Sequence, residues 1–493
     1  MDRINLPPHA GPFVDSLRSI GYSLDAATAD VVDNSISAGA SAIDIFADWG
    51  SGAPRVAIKD DGKGMEPKEL EEAMRLGGVS SSVTRSKTDL GRFGLGLKTA
   101  SFSQCKSLTV ISRTQAGASW YGLRWNLDLI ERENIWAVQV LPISICEQIL
   151  KKIDYGLETG TAVVWENLDR IMDQTSLDAQ AFFEKRIIQL KEHLALTFHR
   201  FISGVEVKRV KISVNDQIIS AVDPFGTRPP PDAPASTLLS DENLRVGSHR
   251  IRVRSYLLPH PSKLSHDHLN SICRNGDYHS AQGLYIYRAG RLILHGGWQR
   301  LIRASEANKL ARVQVDFDND SDHLWRLDVK KSRVELPATL RDQLKRIIRN
   351  VCQKSNSTFT KRAKMPSLDS QPIWQRVFDR ERSQIQYRID RNHSLVKHLI
   401  NEEDGLGNKF ALLSLIEESL PLELIKNDFS SDDIFVGHSD NEDELQQLIR
   451  NLILVGIEEE IIANTISSDS NFGFSFEKIM VLIQRIKSSE YEH

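Results

Sequence analysis

The stretch GRFGLGLKTAS, residues 91–101, decides the fold. Its three glycines, Gly91, Gly94 and Gly96, stand just before Lys98 and a short run of helix-compatible residues. Glycine lets backbone N–H groups approach an anion closely, and a following helix adds unpaired N–H donors and a positive dipole end. The spacing matches neither a Walker A loop nor a Rossmann fingerprint. The stretch therefore predicts either a phosphate cradle or a tight loop that packs a helix closely, and the rest of the chain must decide.

The composition is that of a globular protein with several domains. The 493 residues are 40% hydrophobic and 26% charged, and this length is enough for roughly two to four domains. No apolar run approaches the ~18–20 residues of a membrane span, and the N-terminal stretch lacks the apolar region of a signal peptide. The cysteines, Cys105, Cys146, Cys273 and Cys352, lack the spacing of a zinc site or a disulfide framework. We therefore expect a cytoplasmic protein with reduced thiols and no membrane partner.

The net charge is unevenly distributed along the chain. Residues 401–493 carry 20 acidic and 6 basic side chains, a balance of −14, so residues 1–400 carry +10 in a chain whose net charge is −4. This asymmetry predicts a basic body that could bind duplex DNA and an acidic C-terminal region that could bind partner proteins. Two solvated surfaces without partners would produce the same asymmetry.

Periodicity predicts an antiparallel sheet covered by helices in the first third of the chain. Apolar residues at helical spacing predict a helix over residues 23–41, and alternating or β-rich runs predict the strands. Helices come first and strands come after them, which favours an α+β layer over a βαβ repeat. A long helix over residues 179–202 and short strands after it indicate a second α/β domain that ends near residue 352. Residues 365–493 are predicted to be mostly helical.

Several polar and glycine-rich positions in the first part suit nucleotide chemistry. Asp30 and Asn34 are four residues apart on the predicted helix and share a face. A carboxylate there can polarise an attacking water, and an amide oxygen one turn away can bind Mg²⁺ beside phosphates. Asp60 ends a strand and can accept a hydrogen bond from an exocyclic amine such as adenine N6. Gly62 and Gly64 would let the base lie against the backbone.

Two further positions complete this set. Lys98 is a point charge suited to phosphate. Thr161, in TGTAVV, could place a hydroxyl beside Asp60.

In this order the motifs resemble those of the GHKL ATPases, the superfamily of gyrase, heat-shock chaperones, histidine kinases and mismatch-repair proteins. DVVDNSISAGAS resembles the N box, DDGKGM the first glycine box, GRFGLGLKTAS the second, and TGTAVVWENL the final Gly-Thr motif. The resemblance implies a Bergerat-fold ATPase domain, an antiparallel sheet covered by helices, over residues 1–175. It identifies the opening stretch as the hinge of an ATP lid and the cradle of the triphosphate.

The resemblance also implies the roles of individual residues. Asp30 would orient the attacking water, Asn34 would bind Mg²⁺, and the lid, residues 77–91, would close over ATP as the protein dimerises. The expected ATP-binding residues are Asn34, Asp60, Gly62, Gly64, Met65, Gly91, Arg92, Phe93, Gly94, Leu95, Gly96, Lys98 and Thr161.

The same resemblance implies a second domain. WRLDVKKSRVELP is similar to the segment of an S5-like transducer domain whose lysine reaches the γ-phosphate, and Lys330 is our candidate, with Lys331 behind it. A surface turn with solvated lysines would look the same. The expected domains are the ATPase domain at 1–175, the α/β transducer domain at 176–352 and a helical acidic region at 353–493.

One position departs from the family pattern. The family usually has Glu where this chain has Asp30, and the shorter side chain sets the carboxylate back by roughly 1.5 Å. Errors of about 1 Å in position can cost about 100-fold in rate. Hydrolysis is therefore expected to be slow, or ATP acts mainly as a conformational switch. Asp33 lies nearby but ranks below Asp30 as the base.

The motifs look most like those of MORC and MutL-type proteins, including bacterial relatives. The leading hypothesis is a dimeric Mg-ATP-dependent clamp, a slow ATPase acting on or near DNA in repair or phage defence, with no nuclease motif of its own. The basic helix RDQLKRIIRNVCQKSNSTFTKRAK could line a DNA channel or be a solvated face. A chaperone-like remodelling ATPase and a nucleotide-gated scaffold for partner proteins are the alternatives. A histidine kinase is disfavoured because few residues precede the N box.

Overall fold

The alternating runs in the first part of the chain build one mixed sheet. In the computed structural model its strands are β1 (Ala42–Asp48), β2 (Arg55–Asp60), β3 (Ser107–Arg113), β4 (Tyr121–Asn126), β5 (Gln139–Leu141), β6 (Gly160–Glu166), β7 (Lys211–Val214) and β8 (Gln217–Ile218). Their order is β5-β4-β3-β6-β2-β1-β7-β8. All neighbours are antiparallel except β1 and β7, which are parallel. The predicted antiparallel sheet is therefore confirmed in its main part.

The structure describes most of the chain up to residue 363 and a smaller share of residues 364–493. The described residues are 8–19, 21–77, 96–156, 158–170, 178–229, 231, 233–273, 277–325, 334–363, 373–379, 384–393, 396–397, 413, 416, 445–446, 449–450, 452–453, 458–468 and 476–490.

Helices cover both faces of this first sheet. They are α1 (Ala10–Arg18), α2 (Leu24–Ser37), α3 (Pro67–Met74), α4 (Gly96–Phe102), α5 (Leu127–Glu133), α6 (Ile143–Lys152), α7 (Ala179–Thr197) and α8 (His199–Ser203). The larger core joins α2, α4 and α7 to strand residues such as Ile45, Ile58 and Trp165. A smaller core lies under α6, around Ile111 and Val164. The predicted α+β layering is thus confirmed.

The first core extends beyond the expected ATPase domain boundary at residue 175. Leu190 and Leu194 of α7 and Ile212 of β7 are completely buried in it. Strand β7 pairs with β1 from Ala42 to Ile45, so this segment completes the first sheet. The domain boundaries themselves stay a prediction.

A second sheet is made of β9 (Thr237–Val246), β10 (His249–Leu257), β11 (Gly283–Arg288), β12 (Arg291–His295) and β13 (Ala311–Phe317). The order is β12-β11-β13-β10-β9, with β11 and β13 parallel and the other neighbours antiparallel. Three helices accompany the sheet: α9 (His266–Ile272), α10 (Asp322–Trp325) and α11 (Ala338–Ala363). The α/β composition agrees with the prediction, whereas the S5-like identity stays a prediction.

Helix α11 is held to the second sheet by one apolar face. Leu340, Leu344 and Ile348 recur at helical spacing and are completely buried in the same core as Val253 and Val313 of the sheet. This spacing places one stripe of the helix inward. The opposite face carries the charged side chains.

Residues 1–357 and 358–493 form two compact units. The second contains a hairpin, β14 (Trp374–Asp379) and β15 (Gln384–Ile389), and the helices α12 (Glu459–Ser468) and α13 (Phe476–Glu490). The hairpin differs from the mostly helical structure predicted for this region. Its second strand, QIQYRI, alternates polar and apolar residues, which is the period of a strand.

All four cysteines are buried and form no disulfide. Burial raises the pKa of Cys273 to about 11 and that of Cys352 to about 12, so these thiols are protonated at neutral pH. Among the helices of the described residues, none has the length and apolar character needed to cross a membrane.

Candidate functional site

Helix α2 carries three of the predicted polar side chains. It begins after Ser23, whose hydroxyl caps the backbone N–H of Ala26. Asp30 is 3% exposed and Asp33 is completely buried, whereas Asn34 is exposed. The helix thus holds two carboxylates in the interior and places an amide one turn from Asp30 at its surface.

Asp60 is fixed at the end of β2 beside this helix. One carboxylate oxygen accepts a hydrogen bond from the hydroxyl of Ser35 at 2.8 Å, and the other accepts from the N–H of Gly62 at 2.9 Å. Burial raises the pKa of Asp60, and these hydrogen bonds act in the opposite direction. Ser35 was not among the predicted site residues, although its place beside Asn34 on the helix is a signal that could have found it.

The turn after Asp60 needs glycine at two positions. A Cβ at Gly62 would lie 2.8 Å from Asp60 Oδ1 and 3.0 Å from the Cβ of Ala38. Gly64 has a φ of +67°, and a Cβ there would lie 2.2 Å from the carbonyl oxygen of Arg113. The glycines therefore let the turn pack against α2 and the end of β3. This packing is a structural reason for both glycines, in addition to their predicted role beside the base.

Hydroxyl groups connect this turn to β6. Met65 donates its backbone N–H to the Ser112 hydroxyl at 2.9 Å, and the Ser112 and Thr161 hydroxyls lie 2.9 Å apart. Thr161 pairs with Asp60 in the β2–β6 register. The structure thus places Thr161 beside Asp60 in the sheet and connects it to Met65 through Ser112, which the motifs did not identify.

A tyrosine supports the backbone of Asp60. The Tyr155 hydroxyl lies 3.1 Å from the carbonyl oxygen of Asp60 and 3.0 Å from that of Thr159. The ring of Tyr155 packs edge-on against Trp120. Nothing in the local sequence pattern pointed to this residue, because it acts from the loop after α6.

Helix α4 begins next to Asp30. A Cβ at Gly96 would lie 3.9 Å from Asp30 Oδ2, so the start of α4 faces α2. The Lys98 ammonium is buried and donates to the carbonyl oxygen of Ala73 at 2.8 Å. Burial lowers the pKa of Lys98 to about 8, and the charge of Glu72 opposes that shift. The amine is thus partly neutral in mildly alkaline solution.

Several predicted residues lie outside the described part of the chain. They are residues 78–90 of the predicted lid, Gly91, Arg92, Phe93, Gly94 and Leu95 of the predicted phosphate cradle, and Lys330 and Lys331 of the predicted transducer segment. Their roles stay predictions.

One charged side chain near the site was missed. The Nε of Arg291, on β12 of the second sheet, lies 2.8 Å from Asp33 Oδ1, and one Nη lies 3.8 Å from Asp30 Oδ1. The Arg291 side chain is 5% exposed. Its only sequence signal is a charged residue that opens the apolar run RLIL after a tight turn, and this pattern does not identify a partner almost 260 positions away.

Residues 22–157 match the family model of histidine kinase-, DNA gyrase B- and HSP90-like ATPases. The matched range contains Asp30, Asn34, Asp60 and Lys98 and ends before Thr161. No curated protein sequence shows a significant match to the chain. Residues 22–157 are therefore similar to a GHKL-type ATPase domain, whose expected ligand is ATP, usually with Mg²⁺.

The residues present fit these ligands. The exposed amide of Asn34 offers an oxygen, and Mg²⁺ at nucleotide sites typically takes only one or two protein ligands beside the phosphates. Asp60 is a buried carboxylate whose position is fixed by two hydrogen bonds. Such a group is suited to accept a hydrogen bond from an amine.

Proposed function

We propose that the protein is a Mg-ATP-dependent conformational clamp that hydrolyses ATP slowly. The observation that carries this proposal is the placement of Asp30 and Asn34 one turn apart on α2, the helix whose Ser35 holds the carboxylate of Asp60 and whose Asp30 lies next to the start of α4. All of these residues lie within the segment that matches the GHKL ATPase model.

In this proposal each side chain has one role. Asp60 accepts a hydrogen bond from the amine of the base. Thr161, whose hydroxyl contacts that of Ser112, supports the position of Asp60. Asn34 would hold Mg²⁺, which neutralises phosphate charge when it is bound. Asp30 accepts the proton of a water molecule and orients it toward the γ-phosphate.

Lysines provide the remaining charge. Lys98 approaches the phosphates from α4, and its burial strengthens any charge pair that it forms there. Lys330 is the proposed sensor of the γ-phosphate. Closure of the lid, residues 77–91, and dimerisation would then follow ATP binding and be reversed by hydrolysis.

Association with duplex DNA is the second part of the proposal. Residues 1–400 carry a net charge of +10. Helix α11 exposes Arg341 and Arg349, which lie about 80° apart around the helix axis, and also Lys354. Exposed cations at neighbouring positions of a helix suit a phosphate backbone. A role in DNA repair or phage defence would be consistent with such binding.

The first experiment is steady-state ATP hydrolysis by the purified protein, with and without duplex DNA. We expect Asp30→Asn to bind ATP with unchanged affinity by calorimetry and to lose turnover by about 100-fold or more, because a general base contributes about 10²–10⁴-fold. DNA should raise the turnover of the wild-type protein only.

Other outcomes would redirect the proposal. Undiminished turnover in Asp30→Asn would remove Asp30 as the base. ATP binding without turnover in the wild-type protein would favour a nucleotide-gated scaffold. Stimulation by unfolded protein instead of DNA would favour a chaperone-like ATPase.

A further inference from the structure

Arg291 connects the second sheet to the N-box helix. It is the first residue of β12 and lies opposite Arg288 of β11 in the hairpin register. It also lies outside residues 22–157, which match the ATPase family model. The side chain nevertheless ends at α2, between the two buried carboxylates of the ATPase domain.

The contact is buried on both sides. The side chains of Asp33 and Asp30 are 0% and 2% exposed, and that of Arg291 is 5% exposed. Charges so poorly hydrated are costly unless they are paired. The guanidinium carbon also lies 5.7 Å from the ring centre of Phe198, the residue that ends α7. Arg291 is therefore held between α2 and the end of α7.

The tight turn before Arg291 fixes the position of its backbone. Ala289 and Gly290 both have positive φ, +48° and +84°, and form the tight turn between β11 and β12. A Cβ at Gly290 would lie 2.6 Å from a methyl group of Val207. Ala289 donates its N–H to the carbonyl oxygen of Phe317 at 3.0 Å. These contacts fix the backbone from which the Arg291 side chain extends to α2.

The second sheet has its own anchors on α8. The Arg200 guanidinium pairs with Asp316 of β13 at 2.5 Å, and His199 Nε2 lies 2.8 Å from the Tyr287 hydroxyl of β11. These contacts hold β11 and β13 against the junction between α7 and α8. Arg291 adds a contact from the same sheet to the carboxylates of α2.

We propose that Arg291 is a positioning residue that orients the carboxylate of Asp30 for water activation. Turnover then depends on where the second sheet, which carries Arg291, lies against α2. This inference rests on the proposed role of Asp30 as the base. Arg291 acts through two oxygens, Asp33 Oδ1 at the shorter distance and Asp30 Oδ1 at the longer one. A guanidinium can serve both because its donors point in fixed directions.

The test compares Arg291→Met and Arg291→Lys with a matched control, Arg312→Met. Arg312 is a completely buried arginine of β13, but it lies at the other end of the second sheet, opposite Gly283. We measure the Kd of ATP by calorimetry, kcat and KM for ATP, and Tm for each variant. Arg312→Met reports the loss of stability that results when any buried arginine of this sheet is removed.

We expect Arg291→Met to lower kcat by about 10- to 100-fold, as a base misplaced by about 1 Å would, while the Kd of ATP stays within about threefold. Arg291→Lys should recover part of kcat because an ammonium can still pair with Asp33. Arg312→Met should lower Tm and leave kcat unchanged. An Arg291→Met variant that is folded and retains full kcat would overturn the inference.

A second variant tests whether a loss of turnover comes from misfolding. Removal of Arg291 alone leaves Asp33 buried without this partner, so Asp33→Asn with Arg291→Met removes both charges. We expect the double variant to be folded and still slow. Equal losses of kcat in Arg291→Met and Arg312→Met would mean a structural role only and would overturn the inference.

The outcome also separates this inference from the proposed function. If Asp30→Asn abolishes turnover and Arg291→Met does not, only the inference fails. If the wild-type protein does not hydrolyse ATP, or Asp30→Asn is fully active, the role of Asp30 fails and the inference fails with it.

Discussion

Asp60 and Asp61 are adjacent carboxylates with opposite environments. Asp60 is buried at the end of β2, and burial raises its pKa. Burial acts in the same direction on Asp61, but hydrogen bonds from Ser41 and Ala42 outweigh it and lower the pKa of Asp61. The same turn thus contains one carboxylate that resists ionisation and one that favours it.

These opposite shifts predict opposite pH dependences of stability. Asp60 contributes stability that is present below the unfolded pKa of about 3.9 and is lost as pH rises through its folded value. Asp61 contributes stability that is present above about pH 3.9 and is lost as pH falls through its folded value. From pH 4 to pH 8, the Tm of Asp60→Asn should rise relative to wild type. The Tm difference between Asp61→Asn and wild type should stay nearly constant over that range, and Asp61→Asn should gain on wild type as pH falls from 4 to about 2.

A Tm difference for Asp61→Asn that changes between pH 4 and pH 8 as that of Asp60→Asn does would contradict this assignment. Thermal unfolding followed by circular dichroism is the measurement. Because each variant is compared with wild type at the same pH, titrations elsewhere in the chain cancel.

Lys98 predicts a pH dependence of ATP binding. Its pKa of about 8 means that the ammonium loses its charge as pH rises through that value. A charge-assisted hydrogen bond contributes about 1.5–3 kcal/mol, so the Kd of ATP should rise by roughly tenfold or more between pH 7.5 and pH 9.5. Calorimetry over this range is the measurement.

Lys98→Met is the control because its unbranched apolar side chain suits the buried position. Its ATP affinity should be weaker at pH 7.5 and nearly independent of pH. If this variant shows the same pH dependence as wild type, Lys98 does not contact the phosphates.

At the scale of the element, the turn after β2 tests whether its glycines are structural. Gly64 and Gly117 both have positive φ, but a Cβ at Gly117 would meet nothing within 4 Å. A left-handed residue other than glycine costs about 1–2 kcal/mol. Gly117→Ala should cost only this amount. Gly64→Ala should cost more, because its Cβ would lie 2.2 Å from a carbonyl oxygen.

Urea unfolding measures both costs, and ATP calorimetry measures their effect on the site. We expect Gly64→Ala to weaken ATP binding as well, because the turn also carries Met65. Equal free energies of unfolding for the two variants would mean that the turn can move away from β3 at little cost.

The elements that carry motifs were predictable because their signals are local. Helix α2 shows helical spacing up to Gly39, and α3 begins at Pro67, where a missing N–H costs nothing. The parallel pairing of β7 with β1 was not predictable, since its partner lies some 170 positions away. The hairpin after residue 373 was missed because one short alternating strand is a weak signal among helical ones.

The same distinction applies to the site. The places of Asp30 and Asn34 on α2 and of Asp60 at the end of β2 follow from local patterns, whereas their roles stay predictions. Ser112 and Tyr155 act from other strands and loops, and Arg291 acts from another sheet. Their roles depend on contacts that form only when the chain has folded, so no spacing within the sequence reveals them.

At the scale of the whole molecule, the charge is divided unequally between the two compact units. The acidic residues concentrate after residue 400, in the second unit. The exposed basic face of α11, with Arg341 and Arg349, belongs to the first unit. This arrangement makes ionic strength the variable that distinguishes specific contact from bulk charge.

We predict that duplex DNA binds the full chain with an affinity that falls steeply with salt, and that Arg341→Glu with Arg349→Glu makes the dependence shallower. Each lost phosphate contact should reduce the slope of log K against log salt by about 0.9. The matched control is Lys151→Glu with Lys152→Glu, an equal charge change on α6. Fluorescence anisotropy at several salt concentrations measures both. Equal effects of the two pairs would assign binding to overall charge rather than to α11, and no binding at low salt would remove DNA as a partner.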